Sequence, residues 1–156
     1  MYKNIFITII LSTLGVLLAQ PPEWIDDPGC CEFTSWIVGG IVQIDGNNMA
    51  EEGDMFAAFN STGNVRGVAV QLVPSFGPYE GEIVYELSLR SNAEGDLLSF
   101  KYYDASEDAV LDIAGNYEFV INDIIGSLVD PVFYNIGHGG ENYPNWQDDQ
   151  IGRAHV

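Results

Sequence analysis

Apolar and polar residues alternate most cleanly in EIVYELSLR, residues 82–90. Ile83, Tyr85, Leu87 and Leu89 share one face; Glu82, Glu86, Ser88 and Arg90 share the other. A period of two marks a strand with one face on a core and one in water. The first set is therefore expected inside and the second, Arg90 included, outside. LLSFKYY, residues 97–103, repeats the pattern with Leu98, Phe100 and Tyr102 on a common face. MFAAFN (55–60) and VRGVAVQLV (65–73) read as two strands joined by an STGN hairpin turn. Their small residues, Ala57, Ala58, Gly67 and Ala69, let backbones or sheets approach closely. VLDI, YEFVI and PVFYNI supply the last β segments, and DGNN (45–48) and AEEGD (50–54) are turns.

EFTSWIVGGIVQI, residues 32–44, breaks the one-face rule. Phe33, Ile37 and Ile41 lie on one alternate face, and Trp36, Val38, Val42 and Ile44 on the other, with Gly39–Gly40 as a bulge. A strand apolar on both faces must be covered on both. Its own domain covers one side; a loop, the N-terminal arm or another molecule is needed for the second.

Residues 1–19 place Lys3 before an apolar run from Ile5 to Leu18, with Ala19 as a small residue for cleavage, the layout of a secretory signal peptide. The run is short for a membrane span and is interrupted by Thr8, Ser12 and Thr13. In QPPEWIDDPG, residues 20–29, three prolines remove backbone donors and preclude a strand or helix interior. The segment reads as an extended arm anchored by Trp24 and Ile25, lying either on its own domain or on a neighbouring copy. Cys30 and Cys31 are the only cysteines. Adjacent Cα atoms sit near 3.8 Å, below the usual disulfide span, so a vicinal ring is strained. Pairing between chains and unpaired thiols are the alternatives. The tail from 137 loses periodicity, and its last six residues, IGRAHV, match what a sequencing adapter encodes in one frame.

The net charge of −18, from 23 acids against five bases, repels nucleic acid and anionic membranes. Only His138 and His155 are histidines, so no Ser–His–Asp, Cys–His or zinc constellation is expected, and neither catalysis nor a cofactor is assigned. DASEDA, residues 104–109, alternates oxygen ligands at Asp104, Ser106 and Asp108 but fails the EF-hand pattern; an acidic hairpin turn is the plainer reading. Phe76 and Tyr79 sit in a Pro/Gly-rich loop, where they plug the end of a sandwich or stack on sugars. Asn60-Ser61-Thr62 is an N-glycosylation sequon at a strand–turn junction.

IVQIDGNNMAEEGDMFAAF, GNVRGVAV, GDLLSFKYYDASEDAV and INDIIGSLVDPV together resemble a β-sandwich module of secreted and surface proteins, often found in bacterial multidomain adhesin-like chains. The match covers about residues 26–136, with Val65 where some members carry Cys. The resemblance implies an Ig-like fold and an extracellular structural role, with no catalytic residues to carry over. The chain is similar, more loosely, to single-domain subunits of extracellular fibres whose copies join through extended terminal segments.

The expected architecture is all-β: an Ig-like antiparallel β-sandwich of seven to nine strands over residues 32–136, preceded by an extended arm (20–31) and followed by a tail (137–156). The expected product is a secreted, extracellular structural protein, a fibre or matrix subunit assembling by strand or arm exchange. Trp24, Ile25, Phe33, Trp36, Val38 and Val42 are the candidate assembly residues. Its partners would be other copies of itself and glycans, with no nucleic acid and no membrane insertion after signal cleavage. The alternative is a carbohydrate- or calcium-binding adhesion module using Phe76, Tyr79 and the 104–108 turn.

Overall fold

The computed structural model describes residues 20–137. The expected signal peptide and the tail beyond 137, with both histidines and IGRAHV, lie outside the described residues. The described chain forms ten strands and no helix: β1 (Phe33–Ile44), β2 (Asn47–Asn48), β3 (Met55–Phe59), β4 (Val65–Val68), β5 (Val70–Leu72), β6 (Val84–Ser91), β7 (Leu97–Asp104), β8 (Ala109–Glu118), β9 (Ile124–Ile125) and β10 (Val132–Asn135). That is one more than the upper expectation, because β2 and β9 are two-residue pairings onto β1.

One sheet runs β10-β1-β6-β5, with β2 and β9 also on β1; the other runs β4-β3-β7-β8. All pairings are antiparallel except those of β1 with β9 and β10. The inner faces meet in one core. Ile37, Val42, Tyr85, Leu87 and Leu89 come from the first sheet, facing Phe56, Ala58, Leu98, Phe100 and Tyr102 from the second. Phe56 sits at its centre, with ring centroids 5.6 Å from Tyr85, 5.6 Å from Phe100 and 4.9 Å from Tyr134. The expected antiparallel sandwich is the fold.

The sandwich is sewn together along both flanks. Residues 65–73, read as one strand, divide at Ala69: β4 lies in one sheet and β5 in the other. The crossing requires Gly67, where a Cβ would stand 2.1 Å from the Ser88 carbonyl oxygen on β6. On the opposite flank Ile113 bridges Ile136, and the Gly137 N–H donates to the Asp112 carbonyl at 3.2 Å.

Strand β1 corrects two expectations. Its bulge falls where Gly39–Gly40 suggested, with the β6 register shifting between Ile37 and Gly40. Alternation does not run straight through it, however. Ile37 and Val42 both point into the core, while Ile41, buried outside that core cluster, has changed to the outer face. Part of the doubled apolar pattern is thus one face continued across a bulge. Secondly, β1 is paired on both edges, by β6 on one side and by β9 and then β10 on the other. It has no edge left with which to complete a neighbour's sheet.

The middle of the outer face finds cover within the chain, while Val70 and Phe133 stay exposed. The registers set Leu72 beside Val84 and Ile41 beside Phe133, and the Gly40–Tyr85 pair brings Val84 next to Ile41. This row crosses the outside of the first sheet, and its two middle members are buried. The 74–83 loop lies over it: Pro74 is buried, and Tyr79 meets Phe133 edge-on at 6.3 Å. The loop therefore roofs a sheet face rather than plugging the sandwich end.

Candidate functional site

The arm, residues 20–31, and Glu32 after it add no strand to either sheet. The segment is held by side chains. The Trp24 ring meets Phe59 of β3 edge-on, with centroids 5.3 Å apart. Asp26 forms an ion pair with Arg90 of β6, and the Glu32 N–H donates to Asn92 Oδ1 at 3.0 Å. Arg90, expected in water, is consequently only 8% exposed; a carboxylate arriving from the arm makes that burial tolerable. Between these anchors the chain turns, Gly29 N–H donating to Asp27 Oδ1 and Cys30 N–H to the Asp27 carbonyl. Ile25 projects outward, 74% exposed.

Cys30 and Cys31 are half-buried free thiols with no disulfide between them. Burial, then the hydrogen bond with Cys30, push the Cys31 thiol up to about 11, against the pull of Arg66 and Arg90. Such a thiol is mostly protonated near neutrality and a sluggish nucleophile while the arm is docked.

The candidate assembly residues therefore separate. Trp24 and Ile25 share the arm, Trp24 seated and Ile25 free. Trp36 and Val38 are half-buried on β1, Trp36 paired with Ile124 of β9. Phe33 is half-buried and packs against the core, and Val42 lies wholly within it, so Val42 offers no surface to a partner.

The acidic turn is committed to its own backbone. Asp104 Oδ1 accepts from Ser106 N–H, Ser106 Oγ–H and Glu107 N–H, and Asp108 Oδ1 accepts from Tyr103. No three His, Cys, Asp or Glu side chains converge as a metal site among the described residues. Nearby, the nearly buried Asp54 carboxylate accepts from Glu51 N–H (2.8 Å), Ala105 N–H (2.8 Å) and the Tyr102 hydroxyl. Asp54 thus ties the GDMFAAF and FKYYDA stretches together, which gives that part of the motif a structural cause. Asn60 stands on its exposed turn, its Oδ1 accepting from Thr62 N–H and Oγ–H and from Asn64 N–H.

An open groove of about 720 Å³ lies beside the roofed row. Tyr79 and Phe133 form an aromatic corner over Ile41, and Gln43, Asn48 and Glu82 supply polar groups. Asn48 Nδ2 donates to Glu82 Oε2 and to the Ile83 carbonyl, both at 3.1 Å, while Gln43 Nε2 donates to Asn135 Oδ1 at 2.9 Å. Tyr79 was a candidate from sequence; Phe133, Gln43, Asn48 and Glu82 were not. The signal for Phe133 was present in PVFYNI, where a third large residue between inward Val132 and Tyr134 must face out. The 104–108 turn and Phe76 do not line this groove.

No protein-family model, curated protein or solved structure matches the chain, so its resemblance to adhesin-like modules rests on its sequence motifs alone.

Proposed function

We propose that this chain is a secreted structural protein, a subunit of an extracellular fibre or matrix in which copies join by exchanging N-terminal arms. The observation that carries this reading is the way the arm is attached. Its contacts go to Phe59, Arg90 and Asn92, none of which belongs to the arm, and no sheet pairing fastens it. The Trp24–Phe59 and Asp26–Arg90 contacts, which precede the 27–30 turn, form whether the arm docks on its own domain or on the next, while the Glu32–Asn92 bond lies past the turn and stays within the chain. Exchange then costs little beyond opening the 27–30 turn, and a head-to-tail contact that does not close yields a filament. Strand donation through β1 plays no part. The acidic surface suits an extracellular setting, and Asn60 is a glycosylation position for a host with that machinery.

Light scattering across a wide concentration range tests the reading. The wild-type chain should gain mass with concentration, while Trp24→Ala, which empties the Phe59 contact, should remain a single copy. A wild-type chain that stays single at every concentration overturns it.

A further inference from the structure

We propose that the groove between the 74–83 loop and β1–β10 is a binding site for a neutral oligosaccharide. Its chemistry is that of a sugar: a ring with one CH-rich face and a periphery of hydroxyls. Tyr79 and Phe133 stand 61° to one another with centroids 6.3 Å apart, so they present a two-sided aromatic corner with Ile41 as its floor. Phe133 is 44% exposed despite lying between two core residues. A half-exposed aromatic ring beside fixed polar groups fits the composition of a ligand site.

The polar groups are preorganised and only partly used. Asn48 holds one oxygen of the Glu82 carboxylate, and Asn135 receives the Gln43 amide. Glu82 Oε1 and Gln43 Oε1 are left without a partner among the described residues. Both are acceptors, suited to hydroxyl donors on one edge of a sugar. The groove's volume of about 720 Å³ falls in the range of small-molecule sites, about 300–1,000 Å³.

Charge narrows the class. Among the described residues no Lys, Arg or His lines the groove, and its one acidic side chain is Glu82. On a chain of net charge −18 this disfavours phosphorylated, sulfated or uronic-acid ligands. The site is separate from the arm's seat at Phe59 and Arg90, so it stands or falls independently of arm exchange.

The test is calorimetric titration of the purified chain with cellotetraose, laminaritetraose, mannotetraose and N-acetylchitotetraose, with a sulfated tetrasaccharide as control. At least one neutral probe should bind, the sulfated one should not, and Phe133→Ala should weaken binding about tenfold or more. Glu82→Gln is an exposed, nearly isosteric change that leaves the fold in place, and it should weaken binding too. Trp24→Ala should not alter it. Absence of binding by all four neutral probes overturns the proposal, as does binding that neither Phe133→Ala nor Glu82→Gln changes.

Discussion

Two buried polar side chains behave oppositely. Asp54 is fully used, joining the 51–54 turn, the β7–β8 turn and Tyr102 through one carboxylate. Asp54→Ala strands two backbone N–H groups and leaves the Tyr102 hydroxyl with the Met49 carbonyl as its remaining acceptor, and should cost about 3 kcal/mol in urea denaturation. The Tyr134 hydroxyl lies in the core with no hydrogen-bond partner among the described residues. Tyr134→Phe removes an unpaired dipole without leaving a cavity, so it should be neutral or stabilise by about 1 kcal/mol in the same assay. Neither assignment was legible in the sequence. Alternation placed Tyr102 inside correctly, but what a buried side chain meets is set by residues far away in the chain. Arg90 is the clearest case: its parity pointed to water, and Asp26, 64 residues away, came to cover it.

At the scale of elements, local pattern was a good guide wherever a strand keeps one register. The inward positions of β6 and β7 (Tyr85, Leu87, Leu89, Leu98, Phe100 and Tyr102) are buried as the alternation predicts, while Val84 and Arg90 on the opposite face of β6 are buried as well. DGNN forms a two-residue hairpin on Asp45 and Gly46, both at positive φ, as Asp-Gly sequences favour. The pattern failed where the backbone changes face or sheet. A bulge at Gly39–Gly40 reverses the parity of everything after it, and the break at Ala69 sends β5 into the opposite sheet. Both events depend on a glycine pressed against a carbonyl: a Cβ at Gly39 would lie 2.1 Å from Ser127 O, and one at Gly67 2.1 Å from Ser88 O. The sequence displays these glycines without saying what approaches them. Gly67→Ala should therefore destabilise by about 3 kcal/mol or more, or prevent folding, with thermal melting as the readout.

For the whole molecule, the aromatic core sets a limit at high pH. Burial is the chief reason that Tyr85, Tyr102, Tyr117 and Tyr134 all hold their protons above the ordinary value of 10.0, Tyr117 being pushed up to about 12. Above pH 10 the unfolded chain releases these protons while the folded chain keeps them, so the unfolded state binds fewer and stability falls as pH rises. Each such tyrosine contributes a loss of about 1.4 kcal/mol per pH unit until its folded pKa is reached. The protein should hold constant tyrosine-linked stability below pH 10 and unfold cooperatively above it, with tyrosinate absorbance rising in step with loss of the fold. Absorbance that rises gradually in a still-folded chain would contradict the core as described.

Arm exchange between copies can be read most directly through the Asp26–Arg90 ion pair. Take one chain carrying Asp26→Arg and a second carrying Arg90→Asp. Each alone opposes like charges at the arm's seat, within a copy and between copies, whereas a mixture restores opposite charges only across copies. Arm exchange predicts that each chain alone stays at the mass of a single copy and that mixing them produces high-mass species by light scattering. A mixture that keeps the mass of its separate components would contradict assembly through the arm.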